Sequence, residues 1–114
     1  MIDKWLNDFE AAWVSKNIDQ VLSLFSADVE YWETPYQRLE NIKSLKLEWN
    51  AITKQQNIHL NLRVFSSLGN KHTVMWNLSY VNESLLPQEW AGVYLIELDQ
   101  TGKCSYFYQT GQKR

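Results

Sequence analysis

Apolar residues recur at three- and four-residue steps at the start of the chain. Ile2, Trp5, Leu6, Phe9, Ala12 and Trp13 fall on one stripe and predict a helix ending near Lys16. Asn17, with Gln20 three residues on, reads as a capping box, and Ile18, Val21, Leu22 and Phe25 supply the stripe of a second helix. Residues 28–36, DVEYWETPY, then change the period. With side chains alternating between two faces, Tyr31 and Glu33 share one and Glu30 and Trp32 the other, so each face carries an acid and an aromatic. Pro35 has no N–H to donate. It is expected to end strand pairing and release the chain into a third helix with Leu39, Ile42, Leu45, Trp49 and Ile52 on its apolar side.

From Asn57 the pattern alternates again: Ile58, Leu60, Leu62 and Val64 lie on one face of a strand that SSLGNK is expected to turn. Val74, Trp76, Leu78 and Tyr80 form the next strand, NESLLPQ connects it onward, and Trp90, Gly92, Tyr94, Ile96 and Leu98 alternate in the third of the series. DQTGK turns the chain into a last strand, CSYFYQTG. Three helices with a strand after the second, followed by four strands joined by turns, predict an α+β domain with helices on one face of a mixed sheet. A strongly curved sheet folded over a helix encloses a cone, and its interior has to be filled by side chains or by a ligand. No repeat, low-complexity tract or linker intervenes, so residues 1–114 read as one domain.

Composition narrows the partners. A chain of 114 residues that is 45% hydrophobic, with six Trp and six Tyr, is long enough for one domain with a core and too short for two. Its 11 basic and 13 acidic residues are scattered without blocks, which leaves no basic stripe to gather the phosphates of a nucleic acid. No window approaches the roughly 18 apolar residues of a membrane span. The amino end, MIDKWLNDFE, lacks an apolar signal core, and the expected location is the cytoplasm. Cys104 is the single cysteine, so neither an internal disulfide nor a thiolate cluster is available. His59 alternates with Asn61 and Arg63 on the polar side of its strand, and His72 sits at a turn without clustered carboxylates, so no metal site is expected. No nucleotide-binding glycine loop or Ser-His-Asp spacing occurs, and no cofactor is implied.

The passages LFSADVEYWETP, LENIKSLKLEW and WAGVYLIELDQTGK, with the closing aromatic strand, resemble the NTF2-like superfamily, in particular its SnoaL-like and ketosteroid-isomerase-like branch, over essentially the whole chain. The resemblance implies an NTF2-like cone: three N-terminal helices packed on a strongly curved mixed sheet. The family includes isomerases, polyketide cyclases, dehydratases, hydrolases and proteins that only bind, so one fold serves unrelated functions.

Carried over position by position, the resemblance implies that Glu33 takes the place of the carboxylate that moves a proton beside a carbonyl, although it lies two residues before Pro35 rather than one. Isomerases of this kind also place a tyrosine on the first helix and an aspartate on the penultimate strand as hydrogen-bond donors to the enolate oxygen. Here those positions look like Phe9, which cannot donate, and Tyr94, which can. Trp76, Leu78, Tyr80, Phe107 and Gln109 look like pocket positions, with Tyr31 facing the same cavity as Glu33. Trp13, Trp76, Tyr80 and Tyr94 are suited to stacking on a flat, small apolar or aromatic molecule, or to filling the core themselves.

Three functions stay open: a small-molecule-binding domain with an aromatic-lined pocket; a cofactor-independent isomerase, cyclase or dehydratase with Glu33 as general base and Tyr94 as donor; and a protein-interaction module. For the last, Met75, Val81, Val93 and Leu95 on the outer sheet face are expected to form a homodimer contact.

Overall fold

The structure, a computed structural model, describes residues 1–114. Helix α1, Ile2–Val14, buries Trp5, Leu6, Phe9, Ala12 and Trp13, the stripe expected from the spacing. Lys16 takes a left-handed backbone with φ 58°, and the Asn17 N–H bonds back to the Ala12 carbonyl at 2.9 Å, so the helix closes just before Lys16. Helix α2, Ile18–Ser23, begins at the expected cap, where the Asn17 side chain accepts the Gln20 N–H at 3.1 Å. Phe25, expected on this helix, instead opens strand β1, Phe25–Thr34. The Leu24 carbonyl accepts from the Trp5 indole at 2.9 Å and from the Cys104 N–H at 2.8 Å. Those two bonds use the acceptor that a longer helix would need and tie its end to α1 and the last strand.

The passage after Pro35 also departs from expectation. Pro35 and Tyr36 make a tight turn and the chain returns as strand β2, Gln37–Leu39, antiparallel to β1. A proline in a hairpin turn removes no ladder bond, so it ends β1 without ending pairing. Leu39 is therefore a core residue of β2. Helix α3, Ile42–Trp49, is capped by the Asn41 side chain accepting the Ser44 N–H at 2.9 Å, and Ile52 lies in a separate 3-10 turn, Asn50–Lys54.

Strands β3, Gln56–Leu68, β4, Lys71–Val81, β5, Pro87–Leu98, and β6, Cys104–Lys113, complete a six-stranded sheet of order β2-β1-β6-β5-β4-β3. Only β1 and β6 pair in parallel. The β3–β4 ladder runs out to Leu68 opposite Lys71, so Gly69 and Asn70 alone reverse the chain and the serines of SSLGNK belong to the strand. Extra residues at Phe65 in β3, between Val64 and Ser66, and at Ser105 in β6, opposite the step from Glu97 to Leu98, bend the strands. On the inner face Val74, Trp76, Leu78, Tyr94, Ile96 and Phe107 are buried against α1.

Phe9 is the centre of that core. Its ring lies 5.0 Å from Trp5, stacked, 5.5 Å from Trp49 and 6.0 Å from Tyr94, both edge to face, and 6.1 Å from Phe107, tilted. Such pairs add to what their buried area contributes. Trp76 reaches further than its own strand. It stands opposite Gly92, which stands opposite Gly111, and a Cβ on Gly111 would come 2.6 Å from the Trp76 Cζ2 atom. Two strands thus present bare backbone where the indole crosses them, and a Cβ on Gly92 would overlap the Thr110 carbonyl.

Candidate functional site

Glu33 sits where β1 stops matching β2. Trp32 pairs with Arg38 and Thr34 with Gln37, so Glu33 is the extra residue of a β-bulge. A bulge leaves a backbone group out of the ladder, and here the Gln109 side chain serves it: Nε2 donates to the Glu33 carbonyl and to its Oε1, both at 2.9 Å. The parallel register explains the meeting, because Tyr31 lies beside Phe107 and Trp32 beside Tyr108. Continuing by one residue puts Glu33 beside Gln109 on the inner face. On the opposite face the Trp32 indole donates to Glu30 Oε2 at 2.8 Å, as the alternation predicts.

Three more groups act electrostatically on the Glu33 carboxyl: Tyr31, Tyr94 and Glu48 of α3. Burial, reinforced by the charge and hydrogen bonding of Glu48, pushes the Glu33 carboxyl up to about 8; hydrogen bonds from Tyr31 and Gln109 offset only part of this. The Tyr31 phenol is held well above its ordinary range by burial and then by the nearby Glu33 charge, and Tyr94 is raised for the same two reasons. The Trp49 indole is buried with its N–H turned towards the Tyr31 hydroxyl, but closes no hydrogen bond of good geometry. The sequence pattern does not pick out Glu48, which has the spacing of an ordinary solvent-facing charge on α3. Only its neighbour Trp49 hints that this turn approaches the core.

The expected site residues separate into groups. Glu33, Tyr31, Tyr94, Phe107 and Gln109 come together, with Tyr31 stacked on Phe107 at 4.8 Å and Tyr94 against Phe107 at 4.8 Å. Trp76 stacks on Tyr94 at 5.2 Å with planes 11° apart, and its N–H is buried without a partner. Phe9 backs this group from α1. Trp13 is turned aside: its ring meets Trp49 at 4.8 Å and its N–H bonds to Gln55 Oε1 at 2.9 Å. Leu78 and Tyr80 continue the inner face of β4 away from Tyr94, opposite Trp90 and Gln88.

The rings themselves occupy the interior next to Glu33. An open concavity of about 1340 Å³ runs along β3, β4 and β5, lined by outward His59, Arg63, Met75 and Asn77 and also by Val14 of α1 and the expected pocket residues Trp76 and Leu78. A second, of about 500 Å³, lies at the β3–β4 hairpin by Ser67, Lys71, His72 and Glu97. Neither is lined by Glu33, Tyr31 or Tyr94.

This arrangement of elements recurs in solved proteins. An NTF2-like protein of unknown function from Exiguobacterium sp. 255-15 superimposes with a TM-score of 0.76 over 97% of each chain at 21% identity. The chain has the NTF2-like fold. A Δ5-3-ketosteroid isomerase from Mycobacterium sp. shares the NTF2-like architecture with a TM-score of 0.81 at 12% identity, covering 97% of this chain and 96% of its own. RV0760c from Mycobacterium tuberculosis, in complex with estradiol-17beta-hemisuccinate, matches at 0.79 and 12% identity over 92% and 88% of the two chains. No protein-family model and no curated protein matches the sequence. No helix of this NTF2-like domain is long and apolar enough to cross a membrane.

Proposed function

We propose that this NTF2-like chain binds a small, flat, uncharged molecule at the Glu33 cluster, and that Glu33 exchanges a proton with it. One observation carries the reading: a half-buried carboxyl placed at a bulge, clamped by Gln109 and desolvated so that it titrates near 8. A group that holds its proton at neutral pH and releases it just above can donate to a carbonyl oxygen, or take a proton from the adjacent carbon once ionised. The likeness in fold to a ketosteroid isomerase, and to a protein solved with an estradiol hemisuccinate, supports a flat ring system as the ligand's shape. The ligand reaches the cluster by displacing Trp76, whose buried N–H has no hydrogen bond to lose and gains one if the ligand carries an acceptor.

The test uses 1-tetralone, a flat ring ketone, titrated against tryptophan fluorescence. Binding should shift the emission, and Tyr94→Phe should weaken affinity by about fivefold, the loss of one hydrogen bond with the ring kept. If tetralone and related ring ketones leave both the emission and the Glu33 titration unchanged, the reading is wrong.

A second reading concerns the outer face, where Met75 is 39% and Leu95 40% exposed, with Val81 and Val93 half-buried nearby. We propose that these residues pair two copies of the chain through their sheets. Met75→Lys adds a cation next to Arg63, whose Nη2 lies 3.2 Å from the Met75 sulfur. It should lower dimer affinity by about tenfold or more, from like charge and lost apolar contact. Sedimentation equilibrium decides it: unchanged association in the variant, or a strict monomer in the native protein, removes this reading.

A further inference from the structure

Away from Glu33, the register of three strands assembles aromatic rings and acids on the outer face of the sheet. Tyr106 of β6 stands beside Glu30 of β1 and opposite Glu97 of β5. Two residues on, Tyr108 stands beside Trp32 and opposite Leu95. Tyr31, Phe107 and Ile96, which alternate with these six, are buried on the inner face, so the six point outward. Neighbouring strands lie about 5 Å apart, which makes each acid an immediate neighbour of the Tyr106 side chain. The Tyr106 phenol is raised above its ordinary range by burial and then by Glu30, Tyr108 and Glu97, so its ring sits in a negative field and keeps its proton. On the Glu97 side of that ring opens the concavity of about 500 Å³, lined also by Ser66, Leu68, Lys71, Thr73 and Leu95. Leu68, 82% exposed, and Leu95 give it apolar walls. Lys71 Nζ lies 3.4 Å from Glu97 Oε1 with its side chain 69% exposed, so an ammonium of the chain itself already visits this carboxylate without being fixed there.

We propose that this concavity binds the quaternary ammonium group of a small organic cation, held between the Tyr106 ring and the Glu97 carboxylate. The face of an aromatic ring attracts a cation, and most strongly one that has shed its water. An N-methylated nitrogen sheds water readily, and its methyls meet Leu68 and Leu95. It donates no hydrogen bond and asks for none, so Glu97 serves it by charge alone, with Glu30 adding to the field from the far side of Tyr106. Its competitor is Lys71, which has to leave Glu97 when the ligand arrives. His72, at the margin of the same concavity, is held below its ordinary range chiefly by burial and adds no cation at pH 8. The site does not depend on Glu33, and of its residues only Leu95 belongs to the patch proposed above to pair two copies.

The test is an NMR titration at pH 8 and constant ionic strength with choline and with 3,3-dimethyl-1-butanol, which has the same shape and no charge. Choline should bind at least about tenfold more tightly than the alcohol and shift the amides of Leu95, Glu97 and Tyr106. Glu97→Gln and Tyr106→Leu should each weaken choline binding by about fivefold, the first by removing the charge and the second the ring. Lys71→Ala should act in the other direction and strengthen it by about two- to fivefold, because Glu97 is then free. That gain cannot come from a damaged fold, so it answers for the site even if Tyr106→Leu unfolds the domain. Equal binding of the two probes overturns the proposal. So do choline shifts scattered over surface carboxylates without Tyr106, or an affinity that Lys71→Ala leaves unchanged or lowers.

Discussion

Glu33→Gln is expected to make the protein more stable at pH 9 by on the order of 3 kcal/mol and to leave it nearly unchanged at pH 4. The folded carboxyl titrates near 8 against an ordinary value of 4.5, so the folded state holds a proton that the unfolded chain releases. The contribution of Glu33 to stability is therefore most favourable below about 4.5, declines as pH rises towards 8, and levels off above it. The span sets a ceiling of about 5 kcal/mol, which the partial exposure of Glu33 reduces. Glutamine preserves the contact with Gln109, because its oxygen accepts from Nε2 as Oε1 does. The raised phenols of Tyr31 and Tyr94 are common to both proteins and cancel in the difference. Urea unfolding across pH 4–9 measures the effect. Parallel stability curves for the two proteins would falsify the assignment of Glu33 as a buried acid.

The largest loss is expected at Phe9. Truncation to alanine empties the place where edges and faces of Trp5, Trp13, Phe25, Trp49, Tyr94 and Phe107 converge. Aromatic-to-alanine changes in such settings cost about 3–5 kcal/mol, a large share of the roughly 5–15 kcal/mol that holds a domain folded. Phe65→Ala, at a ring 71% exposed on β3, should move stability by no more than about 0.5 kcal/mol. Comparing the urea midpoints of the two variants tests the location of the core. Similar losses at both positions would mean that Phe9 is not its centre.

Side-chain period made much of the fold legible, and one half of the site with it. The helical spacing from Ile2 to Trp13 marks the face that α1 buries, and the alternation through DVEYWET places Tyr31 with Glu33 on one face and Trp32 on the other with Glu30, to which its indole donates. The likeness in residue pattern led to the NTF2-like fold, which the solved structures share. Short elements lacked a period to read. β2 is three residues long, and only Leu39 among them is apolar, so it looked like the approach to a helix. Glu48 was hidden for a different reason: a charge on the polar side of a helix is indistinguishable from a solvated one until the partner strand is in place. How tightly the aromatic interior packs was equally out of reach, because the same rings at the same spacing suit either a lined cavity or a filled one.

The one parallel ladder in the sheet bears on how the site comes into being. Glu33 and Gln109 are 76 residues apart in the chain, whereas β3 to β6 fold back on one another through short hairpins. Pairing β1 with β6 closes the longest loop of any ladder in the sheet and carries the largest entropic toll among them, so contacts of this kind are the slow ones to form. A chain with its meander assembled and β1 still undocked would hold Glu33 in water, with the acidity of any surface glutamate. The unusual carboxyl is thus a property of the finished topology, acquired only when the two ends of the chain meet.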